Sequence, residues 1–194
     1  MKIIDISRDI FKTEPYPGDP FPEYKHIANT ENGDDYNISY ISMCSHTATH
    51  IDAPKHIDGK DILDIDLDKC YGDCTVISLE PDFDVEYFEN IISSCKNRIL
   101  IRGNGKTFLN SKCAEMLVRH NIKLIGTDAN SIGDGNDEYN VHKILLSNEI
   151  IILEGTDLNN ANDGDYILSA LPLKMSSIEA SPVRAILIDK GNDN

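Results

Sequence analysis

His46-Thr47-Ala48-Thr49-His50-Ile51-Asp52-Ala53-Pro54-Lys55-His56 places three imidazoles and a carboxylate within one short stretch of chain. Neutral imidazole and ionised carboxylate are donors that Zn(II), and less selectively Mn(II) or Fe(II), take from proteins. A continuous helix would turn Asp52 about 200° away from His50, so the two could not converge with His46 on one ion. A continuous strand would align the even positions, yet at about 3.3 Å per residue it would hold His46 and Asp52 roughly 20 Å apart. The chain must bend inside the motif. Ala48 is small where such a bend can fall, and Pro54 biases Ala53 toward extended backbone. The pattern predicts a strand running into a turn.

Outward from this stretch, short apolar runs alternate with amphipathic ones, without linkers or repeats, which predicts one mixed α/β domain over residues 1–194. Strands are expected at 2–7 and 37–44, the second delivering His46, with a proline-rich loop bearing Tyr16 between them. Helices are expected at 84–94 and 111–120. Strands at 98–102 and 122–127 flank the second helix, forming a βαβ candidate. Residues 137–147 read as a short helix carrying His142, Asn148 as a turn, and the apolar run 150–153 as a buried strand ending at Glu154. A carboxylate after four apolar residues is costly to bury unless it is paired or coordinated. His26 and His120 fall outside this constellation and read as ordinary histidines.

With 194 residues and 40% hydrophobic content, the chain can bury the core of one domain. Its formal charge of −15 argues against nucleic acid or an anionic membrane as partner, since both reward clustered Lys and Arg. No apolar run approaches the length of a membrane span. Five cysteines without disulfide-like spacing, and no N-terminal targeting segment, point to the cytoplasm. Cys70 and Cys74 lack a second pair to close a structural zinc site and read as small buried thiols. The 134–138 stretch lacks the glycine and closing glutamate of a calcium loop. Asp128, just past a strand, reads equally as a turn residue and as an acceptor that orients a metal-bound histidine or the attacking water.

The His46–His56 stretch resembles the HxGTHxDxPxH signature of the cyclase-like metal-dependent hydrolases, a family that includes bacterial kynurenine formamidase. Further landmarks follow in family order: Tyr16-Pro17-Gly18-Asp19, Gly126-Thr127-Asp128-Ala129-Asn130-Ser131-Ile132, His142 with Leu145-Leu146, the run ending in Glu154, and Ser181-Pro182-Val183-Arg184-Ala185. The resemblance implies a swivelling β/β/α fold, usually assembled as a homodimer or homotetramer. It implies that His46, His50 and Asp52 hold one metal, that Asp52 bridges to a second, and that His142 and Glu154 complete the pair, with Zn2+ expected and Mn2+ possible. His56 matches the family's catalytic histidine; a further ligand or a supporting side chain is the competing role.

Two ions sharing a water lower its pKa toward neutrality, giving a hydroxide that can attack an amide carbonyl polarised by the same charge. The leading expectation is therefore hydrolysis of a small amide, an arylformamide of the N-formylkynurenine type, which would belong to tryptophan catabolism. A cyclic amide such as isatin is the alternative substrate, and a non-catalytic metal-binding member the alternative class. Three departures bear on substrate, one of them Gly155-Thr156-Asp157-Leu158 after Glu154, where the family more often has an Asn-Leu pair. Tyr16 stands where formamidases carry a pocket tryptophan, and its hydroxyl calls for a hydrogen bond and hence a more polar ligand. Ala48 replaces the signature glycine, which changes the backbone preference at the bend.

Overall fold

Alternation of inward and outward side chains along the strands at 98–102, 124–127 and 151–154 organises two separate cores. Leu100, Leu124, Ile151 and Leu153 join one apolar cluster, while Ile99, Ile101, Ile125 and Ile152 join another. Successive strand residues point to opposite faces, so both faces of this sheet are covered.

The computed structural model describes residues 1–191. Its strands are β1 (Lys2–Asp5), β2 (Glu23–Ala28), β3 (Ile38–Ser42), β4 (His50–Asp52), β5 (Tyr71–Ser78), β6 (Arg98–Arg102), β7 (Leu124–Thr127), β8 (Ile151–Glu154), β9 (Gly164–Ser169), β10 (Ala180–Pro182) and β11 (Ile186–Asp189). The helices are α1 (Leu67–Cys70), α2 (Val85–Ile92), α3 (Ser111–Arg119) and α4 (Glu138–Ser147). One nine-stranded sheet runs in the order β1-β11-β9-β5-β6-β7-β8-β4-β10. The β5-β6-β7-β8 pairs are parallel and the others antiparallel.

The sheet curls. Ile4 near one edge and Ile51 near the other pack into the same cluster, and Ser7 bridges to Thr156 just beyond β8. The second cluster lies beneath α2, α3 and α4, which bury Phe88 and Ile92, Cys113 and Leu117, and Val141, Leu145 and Leu146 respectively. The layers are therefore sheet on sheet on helix, a mixed α/β domain as expected. Asp84 and Asn110 cap the first turns of α2 and α3 through their side chains.

β6, α3 and β7 form the expected βαβ unit, and α4 followed by β8 matches the reading of residues 137–154. Two expectations need correction. β3 does not lead straight to the site: among the described residues it pairs only with β2, in a separate two-stranded ribbon whose β3 residues are all exposed. The turn also precedes the strand within the motif, since residues 45–49 form the bend and His50–Asp52 is the strand. Three residues, two of them polar, are too few to show a periodic pattern.

Candidate metal centre

The bend falls at Ala48, whose φ of 57° lies in the left-handed region. An L-residue pays roughly 1–2 kcal/mol there, a cost the family's glycine would avoid. The adjoining backbone leaves no room for relief: Gly155 comes so near the Ala48 carbonyl that a Cβ on it would sit 2.3 Å from that oxygen. Gly155 also has φ of 64°, so glycine directly after Glu154 is required by conformation and by space. Thr49 ties the two segments by donating its hydroxyl to the Gly155 carbonyl at 2.6 Å.

From the bend, β4 pairs antiparallel with β8, setting His50 opposite Glu154. Ile51 points into the inner core, and its neighbours His50 and Asp52 share the other face. Ala53 is extended (φ −93°, ψ 160°), as Pro54 demands, and Pro54 opens a single 3-10 turn that ends at His56. His142, on the buried side of α4, completes the group.

All five expected ligand positions meet. His46 Nδ1 lies 2.9 Å from Asp52 Oδ1, and His50 Nε2 lies 3.4 Å from both Asp52 Oδ1 and Glu154 Oε2. His142 Nε2 is 3.2 Å from Glu154 Oε1 and 3.8 Å from Asp52 Oδ2. His56 stands beside them, its ring centroid 4.5 Å from that of His46 and 5.6 Å from that of His142. The bound faces are preset: the Ala48 and Glu138 carbonyls take the Nδ1 protons of His50 and His142, leaving both Nε2 atoms turned to the carboxylates.

Electrostatics and hydrogen-bond geometry both suit a divalent cation. Asp52 is fully buried, yet its carboxylate oxygens and His50 Nε2 face one another as close charged neighbours without a well-aligned hydrogen bond. Burial alone would lower the His50 imidazole, but the close contacts and negative charge of Asp52 and Glu154 hold it well above 6.5. Burial likewise opposes protonation of His142, and Glu154 and Asp52 outweigh it, raising that imidazole to about 9. Burial would raise the Asp52 carboxyl, but His46 and His50 hold it well below its ordinary value. Glu154 is lowered against burial and Asp52 by His142 and His50. His56 behaves oppositely: burial first, then the charges of His46 and His142, lower its imidazole despite Asp52. Buried nitrogen and oxygen donors with orphaned acceptors fit a divalent ion.

Asp128 is resolved in favour of the loop. Its carboxylate accepts the backbone N–H groups of Gly103, Asn104 and Gly105 and contacts none of the clustered histidines. Asp137 of the rejected calcium stretch holds Ser111 at the start of α3. His26 pairs with Ser39 in the ribbon and His120 ends α3, both away from the cluster. Three neighbours escaped the sequence reading. Glu179 lies 3.6 Å from His46 Nε2 and accepts the Ser45 hydroxyl. Ser131 and Glu138 line a cavity of about 370 Å3 beside the histidines, together with Tyr16. Ser131 lies within the 126–132 landmark stretch and Glu179 two residues before the 181–185 one; neither carries a chemical signal in the sequence.

The Cyclase family model, described as "Putative cyclase", matches residues 4–134. The chain belongs to the cyclase family. Relatives within reach include the kynurenine formamidases of Bacillus cytotoxicus, 34% identical and aligned over 95% of this chain and 96% of that one, and of Bacillus anthracis, 34% identical over 96% and 97%. Among solved structures, a "Potential Metal-Dependent Hydrolase With Cyclase Activity" superposes with a TM-score of 0.80 at 27% identity, covering 98% of both chains. Isatin hydrolase A from Labrenzia aggregata shares the fold, with a TM-score of 0.79 at 18% identity over 96% of this chain and 93% of that one. This cyclase-family chain thus carries its buried donor cluster on a fold shared with metal-dependent hydrolases. All five of its cysteines are free, and among the described residues no helix is long and apolar enough to cross a membrane.

Proposed function

We propose that the chain is a divalent-metal-dependent hydrolase of a small amide, with arylformamides of the N-formylkynurenine type as the nearest substrate class. The observation that carries this reading is the fully buried Asp52, flanked by three imidazoles and Glu154 and with neither oxygen in a well-aligned hydrogen bond. His46, His50 and Asp52 would hold one ion, and His142 and Glu154, with Asp52 between, a second. Zinc suits this donor set and manganese is its nearest substitute. Such ions supply Lewis-acid polarisation of the carbonyl and acidification of water when bound.

The chain's own residues handle orientation and protons. The carbonyls of Ala48 and Glu138 fix the ring orientations of His50 and His142. His56 is partly exposed to the cavity, and the lowering of its imidazole keeps it neutral at pH 7. A neutral imidazole can take a proton from attacking water and return it to the departing amine nitrogen. Tyr16 supplies an aromatic wall to the same cavity. A protein that merely stored metal would have no use for a neutral base at that place.

Purified protein loaded with Zn(II) or Mn(II) should hydrolyse N-formyl anilides faster than isatin-like lactams or simple esters, and a chelator should abolish turnover. Absence of chelator-sensitive turnover across the panel would overturn the proposal.

Metal uptake should also release protons. In the metal-free protein His50 and His142 are protonated near neutral pH, whereas ligation needs their neutral forms. Affinity is therefore expected to rise with pH up to about 9, the value for His142. The sign for stability without metal is opposite. The raised imidazoles contribute stability that is fully present below 6.5 and lost as pH rises through their folded values. The lowered carboxylates contribute stability above 3.8 and 4.5 that is lost as pH falls through theirs. Zinc titration in weakly buffered indicator dye reads the proton release directly; a flat signal at pH 7 would contradict the assigned protonation.

We place the contact of a homo-oligomer on the ribbon. Tyr24 and Ile27 of β2 and Ile38, Tyr40 and Ile41 of β3 are each at least 48% exposed. Aromatic and aliphatic exposure on this scale marks an interaction surface, and a second copy is the occupant expected for a homodimer or homotetramer. Light scattering should report an oligomer that Tyr40→Lys with Ile41→Lys converts to monomer; an unchanged mass would remove the ribbon from the interface. Five free thiols suit the cytoplasm.

A further inference from the structure

Beyond the imidazoles, the cavity has a polar end with a pronounced charge bias. Tyr16, Asp19, Asn130, Ser131 and Glu138 line it, and its described lining contains no lysine or arginine. Tyr16 donates its hydroxyl to the Glu138 carboxylate, whose oxygens lie 3.0 and 3.1 Å away. One phenolic hydrogen occupies little of a carboxylate's accepting capacity, so most of Glu138 stays open to another donor. Ser131 supplies an independent sign of a ligand. The residue is 6% exposed, and its Oγ has no partner. A buried hydroxyl left unpaired is costly, and this one belongs to a residue in the wall of the cavity that a substrate would fill.

Arg8 lines the adjoining cavity and not this one; it donates to the Asn130 side chain at 2.7 Å and to the Asp128 carbonyl, which leaves its other N–H donors on the far side of Asn130 from the histidines' cavity. A second cavity shares Tyr16, Asn130, Ser131 and Glu138 with the first, which puts these residues at the junction between the two. A substrate whose amide lies against the histidines would therefore extend its remote end to Glu138.

We propose that Glu138, aided by the hydroxyls of Ser131 and Tyr16, is a subsite for a protonated amine at the substrate end remote from the scissile amide. The preferred substrates are then amides bearing an ammonium group, and those bearing only a carboxylate there are disfavoured. The inference rests on the hydrolase reading for the identity of the ligand as a substrate, but binding can be measured without turnover.

The test uses three formanilides that differ only in the para group: aminomethyl, methyl or carboxylate. With metal-loaded protein, kcat/KM should favour the aminomethyl compound over the methyl compound by about tenfold, the scale of one charge-assisted hydrogen bond. The carboxylate compound should be the poorest. In Glu138→Gln the aminomethyl-to-methyl ratio, taken within that variant, should fall to near one. Calorimetric titration of metal-free protein with 4-(aminomethyl)aniline and 4-methylaniline should show the same preference and its loss in Glu138→Gln. Ser131→Ala, which keeps the carboxylate, should weaken binding of the aminomethyl compound while retaining the preference. Equal binding of both anilines by the unsubstituted chain, or a preference that survives in Glu138→Gln, overturns the subsite. Ammonium-selective binding without turnover of any formanilide would uphold the subsite and count against the hydrolase reading.

Discussion

Replacing His56 with Asn should slow hydrolysis of an N-formyl anilide by about 10²- to 10⁴-fold, the range for losing one positioned acid–base group. Metal content should stay unchanged. The expectation follows from the place of His56 in the cluster. Its ring is near those of His46 and His142, yet His142 and His50 each have a backbone carbonyl fixing the outer nitrogen and His56 has no such anchor among the described hydrogen bonds. Its imidazole is also lowered where those of His50 and His142 are raised, which suits a base that must be unprotonated before the reaction starts. The acid limb of the rate profile should therefore lie below 6.5 and disappear in the variant. His56 is close enough to His46 and Asp52 to compete as a ligand. Metal analysis of the purified variant separates the two roles: loss of an ion along with activity would reassign His56 to coordination.

The donor set was legible because its members are chemically conspicuous in the sequence. Spacing alone required a bend between His46 and Asp52, and the structure puts it at Ala48. The four-residue apolar run before Glu154 likewise announced a buried strand, since both sheet faces there are covered. Elements without such a signature were missed. β10 has three residues and ends in Pro182, which an edge strand tolerates and a periodicity search passes over. β9 alternates weakly because most of its residues are only partly buried. The ribbon strand β3 was anticipated but misassigned, because exposed apolar residues mimic the pattern of a half-buried strand when the buried face belongs to no neighbour in the described chain. Partners such as Glu138 and Glu179 could not be read at all. Their meaning comes from contacts across more than 100 residues, to Tyr16 and to Ser45.

Asp52→Asn should produce the largest combined loss, because one carboxylate serves three imidazoles of the cluster. It lies within 4 Å of His46, His50 and His142 and is fully buried, so no water replaces its charge. In metal-loaded protein the variant should retain at most one weakly held ion and show no measurable turnover above the chelated control. In metal-free protein at pH 7 it should also be less stable, since His50 and His142 would keep protons facing only Glu154. Removing one partner of a buried charge pair costs about 3–5 kcal/mol. That loss should shrink as pH rises through about 9, where His142 gives up its proton. Urea unfolding of both chains at pH 7 and pH 9.5, in the presence of a chelator, measures the difference. A destabilisation that is the same at both pH values would mean that Asp52 contributes packing and not charge, and the electrostatic account of the centre would fail with it.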